Sequence, residues 1–327
     1  MQKDSDVFIS NNDRDFIVKA LIDECRLDGR KPYDFRKIGF KFSLDGSTAT
    51  ISLGNTRVMT VVTASLEAPS VGRPMEGMAR FNVELSPMAS PAFEPYGGGL
   101  GFGSRRQADI SNEIVRVVER VVKDSGALDL ESLCVVSGRS VWILRIDIHV
   151  LNHDGNLIDA CVLSAVAALR SFRRPDVEIR PMGGGDGSAA TASSNDEIII
   201  HSPEVREPHP LTMHHLPMSI TFALYEDGNV VAVDPSVRES AAAAGSCTVA
   251  MNATSHDVCA IQKVEGGGLT AAQFGRCVRL AAAKIDAVAE QLMEALAQHE
   301  VARVQARVRR HRAPTPSVTI SEALVVP

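Results

Sequence analysis

None of the six cysteines (Cys25, Cys134, Cys161, Cys247, Cys259, Cys277) stands in a CxxC pair. Their scatter argues against a zinc site or a disulfide framework and suits a reducing compartment. No apolar run approaches the roughly 18 residues of a membrane span. Positive charge is not in excess either: the formal net charge is −6 over 327 residues. A protein that coats nucleic acid is usually basic, so any such contact has to come from a local patch. The opening stretch MQKDSDVFISNNDRD is polar and acidic and predicts no secretory leader. What is present, 45% hydrophobic and 23% charged residues, is an ordinary globular composition for one large or two medium domains. The expectation is a soluble, intracellular protein.

Hydrophobic periodicity and turn signals divide the chain. Asn11-Asn12-Asp13 offers caps to a short helix with Phe16, Ile17, Ala20 and Leu21 on one face. Strand-like runs at 37–44, 47–53 and 56–66 are separated by Asp45-Gly46 and Gly54-Asn55, both hairpin signals. A strand at 79–86 follows. YGGGLGFGS (96–104) reads as a flexible loop leading into a helix over 106–124, where Ile110, Ile114, Val117, Val118 and Val121 keep helical spacing. Residues 141–151 alternate as a strand. The next helix, 156–172, is apolar nearly all round and should be buried. Residues 182–195 are low-complexity and read as an expanded surface loop. Strands at 217–225, 229–234, 246–251 and 257–264 precede a long helix from about Thr270 that is expected to fray into an Arg-rich tail after residue 300. The order implies an α+β or mixed α/β architecture in two roughly equal halves.

HDGNLIDACVLSAVAAL (153–169) poses the chemical question. A glycine turn feeding a helix N-terminus has unpaired N–H groups and a favourable dipole for a phosphate. Yet the residues after the turn are Asn156, Leu157, Ile158 and Asp159, with no cation and one acid.

Several stretches together resemble the RNase PH family: LDGRKPYDFR (27–36), SLGNTRVMTVV (52–62), VELSPMASPAFEP (83–95), residues 130–169 and VVAVDPSVRE (230–239). Within it, the match is nearest to eukaryotic RNA exosome ring subunits, helped by FRRPDVE (172–178), HSPEVREPHPL (201–211) and HHLPMSITFA (214–223). The resemblance covers about residues 14–298. It implies an RNase PH-like fold (ribosomal protein S5 domain 2-like), with two βα halves and mixed sheets packed by helices. The corresponding division is an N-terminal helical extension over 1–26, an RNase PH-like region over 27–300 with halves at about 27–175 and 196–300, and a tail over 301–327.

Active relatives degrade RNA from its 3′ end with inorganic phosphate as nucleophile. The resemblance implies a Gly-Thr-Arg segment after the turn in such relatives; here Asn156, Leu157 and Ile158 stand in those places, and Asp159 is expected to add repulsion. Leu and Ile offer no donors, and an unpaired buried dianion is prohibitively costly. Active relatives also carry two acids, the first and last of a stretch that here runs from Asp234 to Ser240. Ser240 replaces the second, Glu239 is one residue off and is expected to point elsewhere, and Asp234 reads as a turn former before Pro235. The expectation is a non-enzyme: a ring subunit that supports 3′-to-5′ RNA processing and degradation, including rRNA maturation, without phosphate-binding or catalytic residues and without cofactor or metal. The alternative is an active phosphate-dependent 3′-5′ exoribonuclease. Implied partners are other RNase PH-like ring subunits, notably one with active-type motifs, the S1/KH cap subunits and single-stranded RNA. The implied location is nucleus, nucleolus and cytoplasm.

Arg116 and Arg120, four apart on the 106–124 helix, are expected from the resemblance to grip RNA phosphates, with Arg105 and Arg106 as further candidates. Without the resemblance they read as a solvated helix face. The tail arginines Arg303, Arg307, Arg309, Arg310 and Arg312 suit RNA, a partner, nuclear targeting or plain solvation. His201, His209, His214 and His215 lack metal-ligand spacing. Arg145, Asp147 and His149 read as a paired polar strand face or a subunit contact, and the glycines at 266–268 do not form a nucleotide loop.

Overall fold

The computed structural model describes residues 9–93, 102–180, 197–203 and 205–311, with side chains left out at 102–106, 197, 227 and 309–311. The expected low-complexity loop at 182–195 and residues 96–101 of the glycine loop lie outside the described residues.

The chain opens with α1 (Asn11–Ile22), capped by Ser10, whose side chain accepts from the Asn12 N–H. Then come β1 (Ile38–Phe42), β2 (Thr48–Leu53), β3 (Thr56–Glu67) and β4 (Met78–Leu85). Next are α2 (Phe102–Glu119), β5 (Cys134–Val136), β6 (Ser140–Asn152) and α3 (Leu157–Ser171). Two short ribbons follow, built from β7 (Arg173–Arg174), β8 (Val177–Arg180), β9 (Glu197–Ile200) and β10 (His209–Pro210). The second half holds β11 (Pro217–Tyr225), β12 (Val230–Val233), α4 (Val237–Ala242), β13 (Gly245–Asn252), β14 (Val258–Glu265) and α5 (Ala271–His311).

Two main sheets result. The first runs β1-β2-β3-β6-β4 with β5 beside β6; the second runs β12-β11-β13-β14. β4 and β6 are parallel and are joined by the crossover through α2, as parallel neighbours require. The other pairings are antiparallel, with registers set by the Gly46 and Gly54 turns.

The helix α3 lies between the halves. It packs on β2, β3 and β6 on one side and on β11 on the other. Because both faces are covered, its pattern is apolar all round, and Ala160, Ala165, Ala167 and Ala168 let both sheets come close. One continuous hydrophobic cluster therefore runs from Leu53 and Ile146 through Leu169 to Phe222, Val249 and Ile285. Although α1 precedes the first half, it docks on the second, with Ile17 and Leu21 against Tyr225, Ala232 and Ala242. Phe16, expected on its apolar face, is exposed.

Three boundaries differ from the sequence reading. Phe102–Ser104, read as loop, already belong to α2. The regular helix expected to residue 124 stops at Glu119 and continues as a π-helical turn, Arg120–Asp124. The frayed tail expected after residue 300 is helical to His311, where ion pairs hold Arg173 to Glu300 and Arg307 to Glu207.

Candidate functional site

The turn at 153–156 carries the end of β6 into α3 and meets the loop between β12 and α4. Gly155, at φ +88°, sits so close to this loop that a Cβ would lie 2.5 Å from the Pro235 carbonyl oxygen and 2.7 Å from the Val237 nitrogen. Only glycine fits both the backbone angle and the space. Asn156 follows in the left-handed region (φ +54°), a conformation asparagine tolerates. This close approach is what brings the two halves' motifs into one place.

Beside it lies a cavity of about 150 Å³, lined by Ile110, Ile114, Leu157, Ile158, Val237 and Val264 and by the polar residues Glu113, His153, Asn156, Ser240 and Glu265. Among the described residues that line it there is no lysine or arginine. The cavity opens at the N-terminus of α3, with Leu157 and Ile158 on its wall.

Asp159 corrects the expectation of repulsion at the cradle. Its carboxyl is buried and points into the protein, away from the cavity. It accepts from Asn156 Nδ2 (2.9 Å), Ser219 Oγ (2.8 Å), and the Thr221 N–H (2.7 Å) and Oγ1 (2.9 Å). Burial pushes its pKa up to about 7 against those four donors.

Asp234 also differs from its reading as a simple turn former. Its backbone does take a turn conformation (φ +51°), but its fully buried carboxylate is the centre of a network. Oδ1 accepts from Arg36 Nη2 (2.8 Å) and Asn156 Nδ2 (2.7 Å). Oδ2 accepts from the Arg36 N–H (2.9 Å), Arg36 Nε (2.9 Å) and Arg30 Nη1 (3.2 Å). Burial raises the pKa, and the Arg36 guanidinium and the Asn156 amide more than reverse this, leaving Asp234 below the ordinary carboxylate range. Glu239 does point elsewhere, to a buried ion pair with Arg26 (Nε to Oε1, 2.8 Å), while capping α4 reciprocally with Ser236. Arg36 further donates to the Asp154 and Gly155 carbonyls (2.7 and 3.2 Å), tying the turn to the network. Ser240 lines the cavity. Among the described residues no cation faces the cavity, and the Asp234 carboxylate is taken up by Arg36, Arg30 and Asn156.

Arg30 and Arg36 entered the sequence analysis only within the family motif at 27–36, and Arg26 just before it was missed. Asp159 was legible as a lone acid on a helix apolar all round, which has to be hydrogen-bonded.

Arg116 and Arg120 are exposed on α2 and its π-helical turn, and no described residue pairs with either. The side chains of Arg105 and Arg106 lie outside the described residues. Arg145 pairs with Asp147 (2.9 Å) and His149 with Glu84 (3.0 Å), as a polar strand face. His201 binds Glu178 and His209 lies 3.5 Å from Asp176. No group of three metal-ligating residues gathers among the described residues.

Models of the 3′ exoribonuclease family match here: domain 1 over residues 34–175 and domain 2 over 215–284. The exosome complex component RRP45A of Arabidopsis thaliana is 39% identical over 96% of both chains. The human exosome complex component RRP45 is 39% identical over 88% of this chain, which spans 60% of that relative's length. Among solved structures, a chain of the Archaeoglobus fulgidus exosome with RNA bound to the active site is 29% identical, with a TM-score of 0.68 over 85% of this chain and 96% of that one. With the fold, the paired domains and these relatives in agreement, this chain belongs to the RNase PH family of 3′ exoribonucleases and their exosome relatives.

Proposed function

We propose that this chain is a non-catalytic, RNA-guiding subunit of an exosome core ring. The observation that carries the reading is the cavity at the α3 N-terminus. Leu157 and Ile158 form its wall, Glu113 and Glu265 supply carboxylates, and no described cation lines it. A phosphate dianion entering there loses its hydration and meets no compensating charge. The remaining acid of the expected pair, Asp234, is occupied by Arg36, Arg30 and Asn156 and cannot exchange a proton with a leaving oxygen.

Arg116 and Arg120 supply the retained role. Two exposed guanidiniums with no counter-charge among the described residues suit sequence-blind contact with RNA phosphates. The partners are other RNase PH-like ring subunits, one of which supplies the active-type site, with S1/KH cap subunits beside them. The resemblance to RRP45 proteins and to archaeal exosome chains supports this assembly. The reading extends to work on rRNA in nucleolus, nucleus and cytoplasm, for which the Arg-rich stretch 303–312 suits nuclear targeting.

The test is the purified chain with single-stranded RNA and inorganic phosphate, alone and with a ring partner. The expected result is no nucleoside diphosphate from the chain alone and its release from the pair. Release from the chain alone, abolished by Ser240→Ala, refutes the reading in favour of a rearranged phosphorolytic site.

A further inference from the structure

Among the described residues, Asn156 Oδ1 is the single buried side-chain polar atom without a partner. The other end of its amide fixes the orientation. Nδ2 donates to Asp159 (2.9 Å) and Asp234 (2.7 Å), so turning the group over sets its oxygen against two carboxylates. The orphaned oxygen is therefore built in, and a buried acceptor left unpaired costs free energy that a donor recovers. Asn156 is 8% exposed and lines the cavity at the start of α3. The same wall has donors to spare. Asn156 is the N-cap of α3, but its side chain caps no N–H, and no described residue accepts from the Leu157 and Ile158 N–H groups. Between these polar groups the lining is apolar, from Ile110 and Ile114 on α2 to Val237 and Val264 opposite.

These groups select the chemistry of an occupant. An anion meets no described cation there and faces Glu113 and Glu265. A cation suits those carboxylates but opposes the α3 dipole and leaves the helix N–H groups unanswered. A purely apolar group leaves both the N–H groups and the Asn156 oxygen unpaired. A neutral flat ring with an N–H donor and a ring acceptor on one edge satisfies all of them, and about 150 Å³ is room for one aromatic ring. We infer that this cavity binds a nucleobase, its amino group toward Asn156 Oδ1 and a ring nitrogen toward the N-terminus of α3. The Asn156 side chain yields toward the cavity as the donor reaches its oxygen. The inference rests on the proposed non-catalytic reading, in which no phosphate competes for the space. A free nucleoside and an unstacked base of single-stranded RNA share this chemistry. The RNA base would leave its phosphates outside, near Arg116, one turn along α2 from Glu113.

The experiment titrates the full chain calorimetrically with adenosine and with purine riboside, which lacks the amino donor. Adenosine is expected to bind with a Kd below about 100 μM. Purine riboside is expected to bind at least about tenfold more weakly, since it leaves the Asn156 oxygen unpaired. Val237→Trp fills the cavity and is expected to abolish binding, with circular dichroism and urea unfolding showing whether its fold is kept. Should that variant unfold, the two nucleosides on the wild-type chain decide alone. Displacement of adenosine by oligoadenylate assigns the cavity to a base of RNA, and its absence assigns it to the free nucleoside; both support the inference. Equal affinity for the two nucleosides overturns it, as does adenosine binding indifferent to a folded Val237→Trp. No adenosine binding, with nucleoside diphosphate release still absent, overturns this inference alone. Displacement of adenosine by inorganic phosphate overturns it together with the proposed function.

Discussion

Replacing Asp234 by alanine removes the acceptor for five donor contacts at once, from Arg36, Arg30 and Asn156. The carboxylate and the Arg36 guanidinium are both buried, so the variant leaves the Arg36 charge with only the exposed Asp154 carboxylate, 3.8 Å away. Breaking a buried pair by deleting one member costs about 3–5 kcal/mol. Against a total stability of about 5–15 kcal/mol, this is a large fraction. Asparagine is no remedy. Whichever way its amide turns, the NH₂ faces at least two N–H donors, Arg36 Nη2 and Asn156 on one edge or the Arg36 and Arg30 groups on the other. Asp234→Asn is therefore expected to cost at least about 2 kcal/mol. Urea unfolding followed by circular dichroism measures both. A loss below about 1 kcal/mol for Asp234→Ala would refute the structural role and reopen a chemical one.

Other outcomes follow from the same geometry. Asp159→Asn is expected to be tolerated, because the Ser219 and Thr221 hydroxyls can reverse to accept from its amide while the Thr221 N–H keeps an oxygen. Its folded pKa, about 7, lies above the ordinary value of 3.8, so its contribution is fully present below about pH 4 and is lost as pH rises to 7. Wild type should thus lose roughly 2 kcal/mol from about pH 5.5 to 8 relative to Asp159→Asn in parallel urea titrations. Asp234 and Glu239, held below their ordinary range, act oppositely and weaken the fold only as pH falls through their folded values. Gly155→Ala forces the turn away from Pro235 and Val237 and should cost more than about 1 kcal/mol in the same assay, with no loss meaning that the two loops part freely. Arg116→Ala with Arg120→Ala should weaken RNA binding by the chain with its ring partner and flatten its salt dependence without affecting assembly; unchanged affinity at low salt rejects that role. Leu157→Thr with Ile158→Arg should yield no phosphorolysis while Ser240 stands opposite, and measurable turnover would show the acidic pair to be dispensable.

Periodicity and turn chemistry were enough to place α1, α3 and the strands of both main sheets except the short β5. Alternation along 141–151 marked β6, and unbroken apolarity marked α3 as buried on all sides, because local spacing and burial are coupled by geometry. That Leu157 and Ile158 carry no side-chain donors was equally readable, since side-chain chemistry does not depend on the fold. The direction of Asp159 was not. One turn of helix sets it on the α3 face packed against β11, where Ser219 and Thr221 of the other half supply its donors.

The order of elements, the glycine turn and the absence of a cation from residues 156–159 were therefore determined by the sequence itself, through residues a few positions apart. Only the tertiary structure decided which arginine answers which acid: Arg36 and Asp234 are 198 residues apart, and Arg26 and Glu239 are 213. Such pairs form because burial in the shared core makes every unpaired charge intolerable, and no local pattern states which distant partner will satisfy it.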